Sequence, residues 1–567
     1  MSLNDLRSHG LLELLDLEMA RALSRMGGPA DPDVELAIAL TSRSVRRGHT
    51  AFPISLRANE IWPAQSALGE QLPSAARWVD ALQRSPLTEN GPLVLDDAGR
   101  LYFRRYWQFE RDIADQLRAR STPRGRASDA SWLEATLDRL FPGAPDSPQR
   151  NAARNALRNE VSLLCGGPGT GKTTTVAAIV ALLIEDRLNN GAGAPKVMLL
   201  APTGKAAARL GEAVQHAKAR IDAPTSVLER IPETASTIQR ALGMRRDGVR
   251  FRRSADLPLE ANIIVVDEAS MIDLVLMRQL LDATQEGATL LIVGDPDQLT
   301  SVEAGSVLRD LVTADAETCW GGGVTELTKT YRYDEKQPLG QLIAAIRSGE
   351  PATVDALLDR EDADDVDWSS LDGLPAELDL AAEYWSKAVS AADAEEHFRL
   401  RSRYVILTPF RRGPIGTYAL GASIQARLSA AHDPSPRITP IIIEENSHEL
   451  RVYNGDFAML VDGVPPTAAV QSDAGGFREI AVARLPRFSD AFALSVHKAQ
   501  GSEFDEVLVV LPKEDAPLLT RELLYTAVSR ARERIRIVGP KEVVAAALER
   551  RARRYSGLVD AIVAAQD

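Results

Sequence analysis

The sequence predicts an α/β protein with two parallel-sheet domains, a small inserted β-barrel and a helical N-terminal domain. Three observations support this fold class. Short apolar segments alternate with helical stretches from residue 133 to 330, and again after residue 400. This alternation is typical of parallel strands joined by crossover helices. Residues 435–488 instead contain short strands separated by turn residues, and residues 1–115 carry helical apolar spacing.

The N-terminal part of the chain, residues 1–115, is predicted to be helical. Its closely spaced leucines from Leu11 to Leu17 and the apolar segment Val34–Leu40 follow helical periodicity. The segment Phe103–Trp107 is aromatic and basic, which suits a nucleic-acid contact, a partner-facing surface or the edge of a core. Residues 116–132 combine proline, glycine and several charges, so they are predicted to form a linker.

Short β-branched or leucine-rich segments bounded by turn residues are predicted as strands. In the first α/β domain (133–330) they are Val161–Cys165, Lys196–Ala201, Asn262–Val266 and Thr289–Val293. In the second (331–434 and 489–567) they are Tyr404–Leu407, Ala491–Ser495, Val507–Leu511 and Arg534–Val538. In the insert (435–488) they are Ile438–Ile443, Arg451–Tyr453, Phe457–Val461 and Glu479–Val482.

The formal net charge of −13 comes from one segment of the chain. Between Glu350 and Glu396 there are fifteen acidic and two basic residues, so the remainder is close to neutral and contains basic clusters such as Arg245–Arg253. Phosphate binding depends on local patches, so the acidic total does not exclude a nucleic-acid partner. The acidic segment itself is predicted to be a solvated helical face and loop.

The sequence favours a cytoplasmic protein. Its two cysteines, Cys165 and Cys319, exclude a disulfide scaffold and suit a reducing compartment, and Cys165 has the setting of a small buried hydrophobe. The segment Met1–Arg7 lacks the shape of a signal peptide. No apolar run approaches the roughly 18–20 residues that a membrane span needs.

The segment Gly166–Thr173 matches the phosphate-binding pattern G-x-x-x-x-G-K-[ST]. It follows a predicted strand and precedes an apolar helix predicted over Thr174–Ile184. Its glycines let backbone N–H groups converge on an anion without Cβ clashes, and the helix N-terminus favours a phosphate. Lys172 is predicted to reach the β- and γ-phosphates of a nucleoside triphosphate, and the Thr173 hydroxyl to bind Mg²⁺.

Polar side chains follow the last two predicted strands of the first domain. Asp267 and Glu268 come directly after one of them, where they would face the phosphate-binding loop. We expect Asp267 to hold the water shell of Mg²⁺ and Glu268 to orient and polarise the attacking water. Gln298 follows the strand after that, and its amide can bond to both the γ-phosphate and that water.

Phosphoryl transfer also needs positive charge on the γ-phosphate, and an arginine from across a cleft accelerates it by roughly 10³- to 10⁵-fold. The second α/β domain offers two candidates, Arg332 and Arg530. They lie in the segments Thr328–Arg332 and Ala527–Arg532. A single arginine is more often a surface charge, so the case for both depends on the motifs that accompany them.

Nine motifs follow one another in a single order. They are GGPGTGKT (166–173), APTGKAA (201–207), STIQRALG (236–243), VVDEAS (265–270), GDPDQL (294–299), TKTYR (328–332), LTPFRRG (407–413), SVHKAQGSEF (495–504) and TAVSRAR (526–532). Over residues 145–540 this series resembles superfamily 1 DNA helicases of the RecD type. Residues 1–115 show a weaker resemblance to the helical, partner-binding N-terminal domain of that family. The resemblance implies two RecA-like motor domains, an SH3-like barrel as the insert, and ATP with Mg²⁺ as ligands.

The resemblance also assigns roles to individual residues. The catalytic residues it implies are Lys172, Glu268, Gln298, Arg332 and Arg530, and the metal-binding residues are Thr173 and Asp267. The implied nucleotide contacts are Gln149, Gly166, Gly167, Pro168, Gly169, Thr170, Gly171, Lys172, Thr173, Thr174, Gly501 and Glu503. The implied DNA contacts are Pro202, Thr203, Lys205, Thr237, Arg240, Thr408, His497 and Lys498. His497 alone could suggest a metal ligand, but no second ligand lies at suitable spacing.

The basic segment at about 244–258 lies where the family carries a strand-separating or DNA-facing hairpin. A solvated surface hairpin is an equally compatible interpretation of its arginines.

The function that the resemblance implies is ATP-driven 5′→3′ movement on single-stranded DNA. The chain would act as the RecD subunit of a RecBCD-like heterotrimer in double-strand break repair by homologous recombination and in DNA degradation. We find no nuclease metal cluster in the sequence, so nuclease activity is expected in a RecB-like or RecC-like partner. Two alternatives remain open: a free-standing RecD-like helicase, whose relatives carry helix-hairpin-helix repeats not evident here, and a regulatory or assembly subunit with a weak motor.

Overall fold

The structure is a computed structural model of the chain. It describes residues 2–27, 31–62, 69–121, 129–191, 193–245, 250–318, 323–334, 336–360, 363–391, 393–430, 438–447, 449–471 and 476–564. In this part of the chain, no helix combines the length and apolar character needed to cross a membrane.

The N-terminal region combines helices with two small antiparallel sheets. Its helices are α1 (Leu3–Ser8), α2 (Leu14–Met26), α3 (Pro32–Arg46), α4 (Ile54–Arg57), α5 (Ala75–Gln83), α6 (Pro86–Glu89) and α7 (Arg104–Ala119). Its strands are β1 (Phe52–Pro53), β2 (Ile61–Trp62), β3 (Glu70–Gln71), β4 (Leu93–Leu95) and β5 (Arg100–Phe103), in the orders β1-β5-β4 and β2-β3. Its core packs Leu6, Ile38 and Trp78, each fully buried.

The first large sheet has six parallel strands in the order β11-β6-β10-β9-β7-β8. These strands are β6 (Val161–Gly166), β7 (Val197–Ala201), β8 (Ser236–Thr237), β9 (Ile263–Val266), β10 (Thr289–Gly294) and β11 (Val324–Leu327). The helices around it are α8 (Ala130–Leu140), α9 (Pro148–Arg158), α10 (Lys172–Asn189), α11 (Gly204–Lys218), α12 (Thr225–Leu228), α13 (Ile238–Leu242), α14 (Leu274–Ala283) and α15 (Val307–Thr318). All four predicted strands are confirmed. The two edge strands, β8 and β11, lacked a long apolar run and were not predicted.

The insert is a five-stranded antiparallel sheet in the order β17-β16-β15-β14-β18. Its strands are β14 (Ile438–Ile443), β15 (Phe457–Val461), β16 (Thr467–Gln471), β17 (Phe477–Ala481) and β18 (Phe488–Asp490). Within the described residues no pairing joins β17 to β18, so a closed barrel is not seen. The predicted strand Arg451–Tyr453 is wrong, because Arg451 has a left-handed φ of 48° and only one isolated bridge forms, between Ser447 and Val452.

The second large sheet has five parallel strands in the order β12-β21-β20-β13-β19. They are β12 (Val366–Ser369), β13 (Tyr404–Thr408), β19 (Ala493–Ser495), β20 (Phe504–Val510) and β21 (Ala531–Val538), which confirms the four predicted strands and adds β12 from the acidic segment. Its helices are α16 (Pro338–Ser348), α17 (Pro351–Leu358), α18 (Leu374–Val389), α19 (Ala394–Arg401), α20 (Thr417–Ala430), α21 (Arg521–Val528) and α22 (Lys541–Glu549).

The C-terminal segment leaves the second sheet and crosses to the first. It ends in α23 (Leu558–Val563), whose buried Leu558, Ala561 and Ile562 belong to the first sheet's core and pack beside α7 and α15. Just before α23, the Tyr555 carbonyl accepts a hydrogen bond from the Thr50 amide of the N-terminal region (2.9 Å). The packing therefore differs from the predicted range 489–567 at its end, because these apolar side chains find their buried face in the first sheet.

Candidate active site

The phosphate-binding loop joins the C-terminal end of β6 to the first residue of α10, as its sequence predicts. Gly169 and Gly171 have φ of 77° and 82°, which side chains rarely adopt, and Gly171 caps the helix. A Cβ on Gly169 would lie 2.3 Å from the Arg332 Cβ. The loop therefore depends on glycine both for its own turn and for the close approach of residues from beyond the first sheet.

Lys172 lies over this loop and donates hydrogen bonds to the carbonyls of Gly166 (2.7 Å) and Gly167 (3.0 Å). The ammonium is thus held at the loop mouth, in front of the helix N-terminus. Thr170 is buried and its hydroxyl donates to the Gly167 carbonyl (2.8 Å), so this side chain shapes the loop from within. These groups fit a triphosphate, because a charged donor and free helix amides face the same space.

Asp267 and Glu268 stand at the end of β9, as predicted. The Asp267 carboxylate accepts the Glu268 amide (2.8 Å), and Glu268 has a left-handed φ of 52°. A non-glycine residue in this conformation is strained, and such residues concentrate at functional sites. Burial raises the pKa of Asp267 to about 6, with Glu268 adding to the rise and Lys172 opposing it. The local backbone thus turns the Glu268 side chain away from the direction of the strand.

Gln298 connects the first sheet to the second. Its amide nitrogen donates to Asp295 (3.0 Å), and its oxygen accepts from the Arg530 guanidinium (2.9 Å). Asp295 also accepts the Tyr525 hydroxyl (3.0 Å), and its pKa is raised by burial. A movement of the Gln298 amide would therefore change a direct hydrogen bond to Arg530, which lies 232 positions later in the chain.

Arg530 is almost fully buried, with 3% of its surface exposed. Besides Gln298, its guanidinium donates to the carbonyls of Thr526 (3.0 Å) and Ser502 (3.2 Å). These bonds aim the planar group into the space between the sheets. A guanidinium held by three such acceptors is rigid, which suits a group that must meet a developing charge.

Arg332 is held by Glu503, whose carboxylate accepts its guanidinium at 2.6 Å. Glu503 also pairs with Arg209 (2.9 Å) and Arg532 (3.1 Å). Burial alone would raise the pKa of Glu503, but these arginines outweigh it and hold that pKa well below its usual range. Glu503 is therefore ionised and organises three arginines at the edge of the site.

A cavity of about 380 Å³ brings these groups together. Of the predicted site residues, it is lined by Pro168, Gly169, Gly171, Lys172, Thr173, Thr174, Asp267, Glu268, Gln298, Arg332, Gly501, Glu503 and Arg530. Gly166, Gly167 and Thr170 form the loop's underside and do not line it. Gln149, in the first turn of α9, does not line it either.

The predicted DNA contacts do not all lie in one place: some stand together at strand ends and others are buried. Pro202, Thr203, Thr237 and Arg240 lie together at the C-terminal ends of β7 and β8, where Thr203 and Thr237 cap α11 and α13. Thr408 is fully buried and its hydroxyl donates to the Ile415 carbonyl (2.8 Å), so its side chain holds a loop instead of facing a strand of DNA. Burial and the nearby Arg554 lower the pKa of His497, which suits a packed neutral imidazole.

Lys205 packs under the insert. Its ammonium lies 4.1 Å from the Phe457 ring centroid, and the Arg401 guanidinium lies 3.3 Å from the same centroid. Burial lowers the pKa of Lys205 well below its usual range, and neighbouring arginines add to this.

Lys498 bonds to Glu444 (3.1 Å). Of the basic segment 244–258, residues 246–249 lie outside the described residues, and Met244 and Phe251 form an antiparallel bridge.

Three residues of the site were missed by sequence reasoning. Arg209 follows Lys205 by four positions on α11, so helical spacing could have placed both on one face. Tyr331 lines the cavity beside Arg332, and its amide donates to the Gly169 carbonyl (2.8 Å). Tyr525 carried no local signal, because its partner Asp295 lies 230 positions away.

Replacing Asp267 by Asn is predicted to stabilise the nucleotide-free protein above about pH 6 while abolishing Mg²⁺-dependent hydrolysis. The pKa of Asp267 is raised from 3.8 to about 6, so folding penalises its ionised form. The wild type therefore loses stability as pH rises through this interval, and the variant does not. Thermal unfolding between pH 4 and 8 in a chelator, with the exposed Asp256→Asn as control, measures the difference. An advantage independent of pH, or a loss of stability at pH 8, would contradict this assignment.

Among the described residues, no group of three or more His, Cys, Asp or Glu side chains could hold a metal ion by itself. A nucleotide-bound Mg²⁺ needs only one or two protein ligands, since the phosphates and waters supply the rest. Thr173 and Asp267, both lining the cavity, are of the required type.

Comparison with known proteins gives three family matches in chain order. Residues 8–102 match the N-terminal domain of the RecBCD enzyme subunit RecD, residues 149–304 match an AAA domain, and residues 490–538 match the UvrD-like helicase C-terminal domain.

Three curated relatives are similar over most of this chain. The RecBCD enzyme subunit RecD of Mycobacterium tuberculosis is 39% identical over 97% of this chain and 94% of its own length. The subunit of the same name from Mycolicibacterium smegmatis is 38% identical over 97% of each chain. The ATP-dependent RecD2 DNA helicase of Deinococcus radiodurans is 30% identical over 91% of this chain and 66% of its own length.

Proposed function

The chain belongs to the RecD family, and from this premise we propose that it is an ATP-dependent DNA helicase acting as the RecD subunit of a RecBCD-type complex. The observation that carries the proposal is the single cavity in which Lys172 and Glu268 meet Arg332 and Arg530. A split site of this kind changes shape with the distance between the two sheets. It therefore converts the hydrolysis of ATP into movement of one part of the chain against the other.

We propose the following roles within the site. The loop amides and Lys172 hold the β- and γ-phosphates of ATP, and Glu268 orients the attacking water and accepts its proton. Arg530 and Arg332 place positive charge where the γ-phosphoryl group accumulates negative charge. Thr173 and Asp267 would hold Mg²⁺, which would supply positive charge to neutralise the phosphates. Gln298, which already bonds to Arg530, senses whether the γ-phosphate is present.

Hydrogen bonds across the cleft would couple the movements of the two sheets. The Leu299 amide donates to the Thr526 hydroxyl (2.9 Å), and the Gln500 amide group donates to the Leu299 carbonyl (3.0 Å). Both bonds join the segment that carries Gln298 to the second sheet's side, since Thr526 lies on α21 just before Arg530 and Gln500 lies between β19 and β20. A shift of this segment therefore moves the second sheet as well.

We propose the domain division predicted from the sequence with one change. The two RecA-like motor domains are 133–330 and 331–434 with 489–549, the SH3-like insert is 435–488, and α23 packs with the first motor domain. The helical domain at 1–115 would bind the partner subunits, with 116–132 as linker. The DNA track would run over the ends of β7 and β8, where Thr203, Thr237 and Arg240 lie, and over Lys498 on the other side. Such tracks combine backbone charge with base stacking and read little sequence.

We also propose that the chain assembles with RecB-like and RecC-like subunits in the cytoplasm, in repair of double-strand breaks by homologous recombination. The match of residues 8–102 to the N-terminal domain of RecD supports this assignment over a free-standing helicase. The 38% and 39% identities to the two mycobacterial RecBCD subunits, against 30% to RecD2, point the same way. The complete cation and carboxylate set in the cavity argues against a purely regulatory subunit. Nuclease activity is placed in a partner subunit.

Unwinding assays on tailed duplexes test the proposal and its polarity. The chain, alone or with its partner subunits, should separate duplexes that carry a 5′ single-stranded tail in the presence of ATP and Mg²⁺. Duplexes with a 3′ tail should remain intact when only this subunit's motor is active. Preferential opening of 3′-tailed duplexes would refute the polarity, and DNA-independent ATP hydrolysis without unwinding would refute the helicase.

A further inference from the structure

The segment 550–557, which joins α22 to α23, contains no helix or strand and contacts three parts of the molecule; we call it the strap. Near its start, the Ala552 amide donates to the buried Glu522 of α21 (2.8 Å). The Ala552 carbonyl accepts from Arg309 of α15 (3.1 Å), and Arg309 also pairs with Glu522 (3.1 Å). The strap therefore leaves the second sheet already bonded to a helix of the first.

The strap ends on the N-terminal region, against the turn at residues 47–50 that follows α3. The Tyr555 amide donates to His49 Nδ1 (3.0 Å), and the centroids of the two rings lie 4.8 Å apart. The Tyr555 carbonyl accepts the Thr50 amide (2.9 Å). Both backbone groups of this strap residue are thus held by two consecutive residues of the N-terminal turn.

A buried carboxylate fixes the same end of the strap. Glu110 of α7 is 2% exposed and accepts the hydroxyls of Thr50 (2.6 Å) and Ser556 (2.9 Å). It also accepts the Gly557 amide (3.1 Å). A carboxylate buried this deeply needs donors on its oxygens. Because those donors come from the turn and from the strap, Glu110 ties the two together.

The strap also holds the loop that carries Gln298. This loop, residues 295–306, joins β10 to α15 and contains no helix or strand; we call it the Gln298 loop. Its Ser301 carbonyl accepts from the Arg554 guanidinium of the strap (3.0 Å). The same guanidinium donates to the Arg47 carbonyl of the N-terminal turn. One planar group therefore joins the Gln298 loop to the N-terminal region.

Two further bonds hold the Gln298 loop. Its Pro296 carbonyl accepts from Arg309 (3.0 Å), the arginine that also binds the strap. Its Gly305 amide donates to the Gly48 carbonyl of the N-terminal turn (2.9 Å). Gln298 thus lies on a loop whose backbone is held by groups that do not line the nucleotide cavity: the strap, an arginine bound to it and the N-terminal turn.

We propose that Arg554 is a positioning residue for ATP hydrolysis: through the Ser301 carbonyl it fixes the place of Gln298, and through the strap it makes turnover depend on the docking of the N-terminal region. The inference rests on the proposed function, in which Gln298 senses the γ-phosphate beside Arg530. A displacement of about 1 Å at a reacting group can cost about 100-fold in rate. A small shift of the loop is therefore sufficient.

Steady-state hydrolysis of ATP by the full-length chain, with single-stranded DNA present, tests the role of Arg554. Arg554→Ala should lower kcat by about 10- to 100-fold. KM for ATP and the affinity for ADP should change little, because the phosphate-binding loop is untouched. Arg553→Ala is the matched control, since Arg553 is an exposed arginine of the same strap. A kcat equal to that of the control would overturn the proposal.

A double-mutant cycle with Gln298 separates positioning from a general loss of structure. If Arg554 acts through Gln298, Arg554→Ala should cost much less in the Gln298→Ala background than in the wild type. The same cost in both backgrounds would show that Arg554 acts elsewhere, against the proposal. If melting temperature shows that Arg554→Ala does not fold, the cycle is run with Arg554→Lys, which keeps the charge but cannot span both carbonyls.

The N-terminal end of the strap is tested by Glu110→Gln, because its amide group would face donors where the carboxylate accepts. This variant should also lower kcat, whereas Asp115→Asn, at an exposed carboxylate of α7 paired with Arg118, should not. Equal kcat in the two variants would refute the dependence on the N-terminal region. A wild-type chain without DNA-stimulated ATP hydrolysis would defeat the proposed function itself. An active wild type whose strap variants match their controls would defeat this inference alone.

Discussion

Replacing Lys172 by Gln is expected to lower ATP turnover by about 100-fold or more, the loss typical of removing one donor from a developing charge. Lys172 is the charged donor at the loop mouth, and its ammonium is held 2.7 Å from the Gly166 carbonyl. Glutamine keeps part of the reach but supplies no positive charge. Steady-state hydrolysis of ATP with single-stranded DNA present measures the effect.

Lys196→Gln is the matched control, since Lys196 belongs to the same region and pairs with Glu260 while 70% exposed. The control should retain normal turnover and unwinding. If Lys172→Gln hydrolyses ATP and opens duplexes as the control does, the chain is not a motor driven through this loop.

Replacing Arg530 by Ala is expected to lower kcat by roughly 10³- to 10⁵-fold while nucleotide affinity changes little. The physical reason is that Arg530 enters the cavity from the second sheet and bonds to Gln298 (2.9 Å), on the side where the γ-phosphate would lie. Lys172 and the loop amides remain in place to bind nucleotide. Separate measurement of kcat and of ADP or ATP-analogue affinity resolves the two effects.

The burial of Arg530 requires two further variants. Truncation leaves the Gln298 oxygen and the carbonyls of Thr526 and Ser502 without this donor, which also costs stability. Arg530→Lys keeps a positive charge, but it cannot span these acceptors with a planar fork, so it should also be slow. Arg534→Ala is the control, since Arg534 lies on β21, the strand that begins directly after Arg530, and bonds to the Asp364 carbonyl. Normal turnover of Arg530→Lys would show that charge alone suffices and that the fork geometry is unimportant.

Short-range chemistry explains what was predictable. The phosphate-binding loop is a contiguous strand, turn and helix, so Lys172, Thr173 and the glycine conformations follow from eight consecutive residues. The buried strands of both sheets were visible as apolar runs because parallel strands are covered on both faces. Short or polar strands such as β8 were not predicted, because a two-residue strand shows too little periodicity to be distinguished from a loop.

The sequence by itself determined the two parallel sheets, the loop at Gly166–Thr173, and the carboxylates Asp267 and Glu268 that stand at a strand end. Only the tertiary structure decided that Glu503 collects three arginines, that Thr408 is buried in its loop, and that α23 returns to the first sheet. These features depend on contacts between residues up to several hundred positions apart. Local periodicity carries no record of such distances, because it reflects only which face of each element is buried.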